Sequence, residues 1–141
     1  MEVFISYKFT GEESSILSEN LTRIKKGLEN IGLKVYCNLF DDELITRSVN
    51  FKQKDWVFEA FNIIKNKQLL FVFLNSEEKS EGMILEIGYA IAKNIPIIVA
   101  VRSDIKNKTC LPGMANSIVV WENLEDLLTK ISDLDLAKFK K

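Results

Sequence analysis

Apolar residues along the chain fall into short, nearly continuous runs, separated by stretches in which they recur every three or four positions. Val3 to Tyr7 is the first run and stops at Lys8-Phe9-Thr10-Gly11-Glu12-Glu13, the pattern of a buried strand entering a loop. From Ser15 to Leu28, the positions Ile16, Leu17, Leu21, Ile24 and Leu28 keep a helical period that ends near Gly32. Leu33 to Cys37 predicts a second strand. The largely polar stretch from Asn38 to Asn50 predicts a long loop, with Asp41-Asp42-Glu43 as solvated surface. Trp56, Phe58, Phe61, Ile63 and Ile64 predict a second helix, and the unbroken apolar run Leu69 to Leu74 predicts the central strand. Gly82 to Lys93 reads as a third helix, Ile97 to Val101 as a fourth strand opened by Pro96, and Ser117 to Trp121 as a fifth. A last helix is expected from Leu124 to Ile131, followed by a frayed end at Lys138-Phe139-Lys140-Lys141.

Strands that alternate with helices, and that are apolar throughout rather than at every second residue, predict a parallel sheet covered on both faces. Right-handed crossovers then give an α/β, doubly wound, five-stranded sheet in a flavodoxin- or Rossmann-like three-layer sandwich. Residues 1–141 are read as a single domain, because a chain of 141 residues hides roughly two-thirds of its unfolded surface on folding. Ligands of such folds bind outside the carboxyl ends of the strands, where the strand order reverses. The loops after Tyr7 and after Leu74 should therefore lie side by side at the site.

Composition narrows the chemistry. Apolar residues make up 47% and charged ones 28%, ordinary for a globular protein. The net charge of -1 argues against a binder of long nucleic acid, which needs a clustered basic surface. No apolar run approaches a membrane span and the first residues lack a basic start, so no membrane partner is expected and the cytoplasm is the expected location. Cys37 and Cys110 have no paired spacing and read as small buried hydrophobes in a reducing compartment. There is no histidine. Ser-His and Cys-His catalysis are thereby excluded, and neither a metal nor a cofactor is expected. Acid–base work falls to carboxylates, lysine or tyrosine.

The sharpest local feature is Ser80-Glu81-Gly82-Met83-Ile84-Leu85-Glu86-Ile87-Gly88-Tyr89-Ala90-Ile91-Ala92, in which Glu86 is the only charge between Gly82 and Ala92. On a helix Met83 and Ala90 flank Glu86 on one face, with Ile84, Ile87 and Ile91 as the adjoining core stripe. An apolar setting raises a carboxyl pKa. Gly82 and Gly88 weaken a helix and point to close approach by backbone or ligand. From pattern alone two readings of Glu86 stay open, a helix-edge carboxylate reaching solvent or a functional group. Its place one turn into the helix that leaves the central strand favours the second.

The run from Leu74 to Ala92 resembles the signature of the nucleoside 2-deoxyribosyltransferase superfamily, which includes transferases and 2′-deoxynucleoside 5′-phosphate N-hydrolases. Ser80, Gly82, Glu86, Ile87, Gly88, Tyr89 and Ala90 fit its pattern without a gap, and the element order fits over nearly the whole chain. The resemblance implies that Glu86 attacks the anomeric carbon to form a glycosyl ester, which water or an acceptor base then opens. It also implies a nucleoside or nucleotide substrate, with Met83 and Gly82 beside it on the helix. Where many transferases carry Asp, this chain has Ser80, as the monophosphate hydrolases do, which favours a nucleotide because a hydroxyl can donate to phosphate. Lys8 then supplies the compensating charge, or is a solvated surface lysine. Phe9, Thr10 and Gly11 add loop contacts. Asn75 replaces the Asp that often ends the central strand in the transferases. Phe4 stands where relatives often carry a nucleophile-orienting Tyr, a role that Tyr7 takes over unless it is a buried aromatic with its hydroxyl satisfied. The family's habit of dimers or larger homo-oligomers implies that a loop from one subunit completes its neighbour's site, here Lys106 to Asn116 with Thr109 as donor.

Val3-Phe4-Ile5-Ser6-Tyr7 also resembles the opening of TIR domains, which include NAD-cleaving enzymes and non-catalytic interaction modules. A third class is a catalytically silent module in which Glu86 merely pairs with a neighbour.

Overall fold

A computed structural model describes residues 1–78 and 80–140. Its strands are β1 (Glu2–Tyr7), β2 (Lys34–Tyr36), β3 (Leu69–Leu74), β4 (Ile97–Arg102) and β5 (Ser117–Trp121). The helices are α1 (Ser14–Asn30), α2 (Asp42–Arg47), α3 (Gln53–Ile64), α4 (Glu81–Ala92) and α5 (Leu124–Ser132). All strand pairs are parallel and the order is β2-β1-β3-β4-β5, the expected doubly wound arrangement. The run Leu69 to Leu74 forms the central strand, buried along its whole length. Successive side chains on a strand point to opposite faces, so each strand feeds two cores. Val3, Ile5, Phe71 and Phe73 pack under α1 and α5 against Leu17, Leu21, Ile24, Leu28, Leu127 and Ile131. Phe4, Leu70, Val72 and Leu74 pack under α3 and α4 against Ala60, Ile64, Met83, Ile87 and Ala90. Because the order reverses between β1 and β3, the segments leaving Tyr7 and Leu74 diverge to opposite faces and leave a crevice between them.

Several expectations need correction. The stretch from Asn38 to Asn50 is not a loop: two single 3₁₀ turns, Asn38–Phe40 and Ser48–Asn50, flank α2. Asp41 caps α2 by accepting from the Leu44 backbone N–H at 3.1 Å, and also accepts from the Tyr36 hydroxyl at 2.6 Å, so it is not simply solvated surface. On α4 the buried stripe is Met83, Ile87 and Ala90, while Ile84 and Ile91 are exposed. A Cβ at Gly82 or Gly88 would meet nothing, so neither glycine serves a close approach within the chain. The chain end is anchored rather than frayed as far as residue 140. Leu136–Phe139 form a turn with Phe139 buried, and Lys138 Nζ donates to Ser117 Oγ at 3.1 Å. Lys141 lies outside the described residues. Cys37 is buried, but Cys110 is exposed. No helix among the described residues is long and apolar enough to cross a membrane.

Candidate active site

Ser80 enters α4 with extended backbone, and its Oγ accepts from the Met83 N–H at 3.3 Å as a helix cap. A capping hydroxyl used as an acceptor still has its proton to donate. Glu86, one turn past Met83 and half-buried, directs its carboxylate at the sheet, where the Ser6 hydroxyl of β1 donates to Oε1 at 2.6 Å. Burial pushes the Glu86 carboxyl up from its ordinary 4.5 to about 7, against the Ser6 hydrogen bond, which lowers it. No lysine or arginine forms an ion pair with Glu86 among the described residues. The helix-edge reading, in which this side chain reaches freely into solvent, does not describe it.

Tyr7, the next residue of β1, donates its hydroxyl to Asn38 Oδ1 at 2.5 Å rather than to Glu86. Burial first, then Cys37 and Glu86, raise its phenol far above the ordinary value, so it stays neutral. Burial likewise pushes the Cys37 thiol up to about 11. Phe4 is fully buried and stacks on Tyr36 with ring centres 5.5 Å apart.

At the carboxyl ends of the central strands, lined from α4 by Met83 and Ile84, lies a cavity of about 230 Å³. It gathers Lys8, Asn75, Ser80, Met83 and Thr109, all singled out in the sequence, with Ser76, Glu77, Glu78 and Lys108. Glu86, Tyr7, Phe9, Thr10 and Gly82 do not line it; Phe9, Thr10 and Gly82 are exposed. Lys8 is not a solvated surface lysine. It is buried, with Nζ 3.2 Å from Glu78 Oε2 and 3.6 Å from Glu12 Oε1. Thr109 stands on this chain's own cavity, its Oγ1 accepting from the Leu111 N–H at 3.3 Å. Lys108 Nζ approaches Glu77 Oε2 at 3.6 Å across the same opening. Sequence reasoning missed Ser6, Asn38, Glu77 and Glu78. Glu12, four residues after Lys8, carried a local pairing signal; Glu78, 70 residues away, carried none.

No protein-family model matches the sequence, and no curated protein matches it. Among solved structures, the chain is similar to the CMP N-glycosidase BcmB of Clostridium botulinum, with a TM-score of 0.69 and 19% identity, covering 93% of this chain and 97% of that one. It is also similar to a conserved protein of Enterococcus faecalis V583, with TM-score 0.66, 16% identity and coverage of 94% and 97%. A 2-deoxyribosyltransferase of the psychrotolerant Bacillus psychrosaccharolyticus matches with TM-score 0.64, 12% identity and coverage of 99% and 96%. The chain shares its three-layer α/β fold, a five-stranded parallel sheet between helices, with these structures.

Proposed function

We propose that the protein cleaves the N-glycosidic bond of a nucleoside or nucleoside 5′-monophosphate, with Glu86 as nucleophile. The observation that carries this reading is a carboxylate that pairs with no lysine or arginine among the described residues and accepts from one sheet hydroxyl, on a helix whose start, Ser80 and Met83, lines a cavity at the carboxyl ends of β1 and β3. The shared fold of an N-glycosidase and a deoxyribosyltransferase supports it. Glu86 attacks the anomeric carbon, a C–O bond forms and the C–N bond breaks. Its electron pair leaves with the base, whose nitrogen takes a proton from solvent. Water or a second base then opens the glycosyl ester and frees the carboxylate. A negative charge beside the anomeric carbon stabilises the oxocarbenium-like transition state, and splitting one displacement into two lowers each barrier.

Attack requires the ionised carboxylate, so activity falls as pH drops through about 7. Ser80 favours a 5′-phosphate, because a hydroxyl donates to it and a carboxylate would repel it. Lys8 serves the phosphate only once Glu78, which is largely exposed, yields its place. Asn75, Met83 and Thr109 line the pocket for the remainder of the substrate. A homodimer or larger assembly belongs to the same proposal: α3 and α4 leave Trp56, Phe58, Leu85 and Ile91 exposed, apolar surface that a second copy would cover in part.

The test is to incubate the protein separately with deoxynucleoside monophosphates, with nucleosides plus a free base, and with NAD, and to follow released base or nicotinamide by chromatography. Base release that Glu86→Ala abolishes is expected. Nicotinamide release alone would move the protein to the TIR-like class, and no release from any substrate would leave a silent interaction module.

A further inference from the structure

Ser6 sits on a strand next to the centre of the sheet, paired with Val72 of β3 and on the same face as Phe4. Its neighbours Phe4 and Val72 are apolar, and Ser6 is 1% exposed. A serine there gives up apolar contact, and its hydroxyl would be costly to bury without a partner. Its partner comes from another layer, since the hydroxyl crosses to α4 and donates to Glu86 Oε1 at 2.6 Å, the length of a charge-assisted bond. A glutamate side chain has three rotatable bonds, whereas serine on a central strand has one, so the hydroxyl is the fixed end of the pair. Tyr7 cannot take this part, because its hydroxyl is given to Asn38.

We propose that Ser6 is the positioning residue for Glu86, pinning Oε1 so that Oε2 is the oxygen presented to the substrate. This rests on the N-glycosidase reading for the reaction, though not for the coupling of the two side chains. Among the described residues no second side chain donates to Glu86. The other titratable groups packed around α4 are engaged elsewhere: Lys8 with Glu12 and Glu78, and Glu59 of α3 with Arg47. Tyr7 and Cys37 feel the Glu86 charge, but burial keeps both neutral. The Ser6 proton is therefore the group that favours the ionised form of Glu86.

The experiment compares the native protein with Ser6→Ala and Ser6→Thr in two readouts. The first is the Glu86 titration by carbon NMR of the labelled carboxyl, assigned with Glu86→Gln, which needs no activity. Ser6→Ala is expected to raise the midpoint by about one to two pH units, the worth of one hydrogen bond to a charge, and Ser6→Thr to bring it back. The second is the pH profile of kcat/KM. Its acid limb should move up in step, leaving Ser6→Ala about ten- to a hundredfold slower near neutrality and recovering as pH rises. A Glu86 midpoint that stays in place in Ser6→Ala overturns the proposal, and so does an unmoved acid limb. A midpoint that moves in a native protein releasing no base upholds the coupling and overturns the N-glycosidase reading instead.

Discussion

The layer of α1 and α5 and the layer of α3 and α4 cover opposite faces of the same sheet, and they treat their polar and apolar residues differently. On the first, Leu17, Leu21, Ile24, Leu28, Leu127 and Ile131 are all buried, and Ile16 is the one large apolar residue left outside. On the second, Trp56, Phe58, Ile84, Leu85 and Ile91 face outward while a carboxylate and a serine hydroxyl meet at the sheet. Local pattern, packing and burial agree in the first layer and conflict in the second. Conflicts of this kind collect where a protein binds or reacts, because the groups needed for chemistry are poor core residues. The first layer holds the fold together and the second accepts a cost to keep Glu86 in place.

The strongest way to separate the layers is Glu86→Gln, which should lower turnover by about a thousandfold or more, since an amide cannot form the glycosyl ester. The same change should make the protein more stable in alkaline solution. The folded-state pKa of about 7 lies above the ordinary 4.5. The native state thus holds the proton more tightly than the unfolded one, and stability is lost as pH rises between those values. The glutamine variant escapes that loss, a gain of up to about 3 kcal/mol at pH 8 and close to none at pH 4. Urea unfolding at both pH values measures it, and a variant less stable than native at pH 8 would contradict the cost assigned to this layer.

Leu21→Ala makes the converse change on the other layer. Deleting a fully buried leucine should destabilise by about 2–5 kcal/mol, with kcat per folded molecule unchanged. A large fall in kcat would mean that the two layers are coupled.

Ser80→Asp alters the second layer by charge alone, because aspartate caps a helix as well as serine does. It should reduce the preference for monophosphate over nucleoside by about ten- to a hundredfold, the worth of one charge-assisted hydrogen bond. An unchanged ratio of the two kcat/KM values would remove Ser80 from phosphate recognition. Leu85→Glu should have the mildest effect on chemistry: sedimentation is expected to shift to monomer with the fold retained. A native chain that already sediments as a monomer and is fully active at nanomolar concentration would exclude the assembly.

The strands were legible because most are nearly continuous apolar runs, a pattern that parallel sheets produce on their own. The register of α4 was not, for a related reason. In a helix with a single charge after its first residue and apolar residues nearly everywhere else, the period has little contrast, so Ile84 and Ile91 looked as internal as Ile87. The segment from Asn38 to Asn50 failed in the opposite sense. Its short helical turns bury only Leu44 and leave no stripe to detect, although Asp41 ahead of Asp42 and Glu43 is a usable cap signal. Glu86 stood out as the lone charge between Gly82 and Ala92, but Ser6 did not stand out in its strand, because one hydroxyl among apolar residues is ordinary. Its meaning came from a contact 80 residues away, which no local window contains.

The cavity mouth carries two lysines and two glutamates, Lys8 and Lys108 against Glu78 and Glu77, paired across it. With Glu12, 3.6 Å from Lys8 Nζ, the two lysines face three glutamates, so these groups offer no attractive field to a phosphorylated molecule. Encounter then proceeds at the unsteered pace of neutral partners, and salt has little to screen. Under the proposed activity, discrimination between a nucleotide and a nucleoside arises after arrival, in how long each one stays.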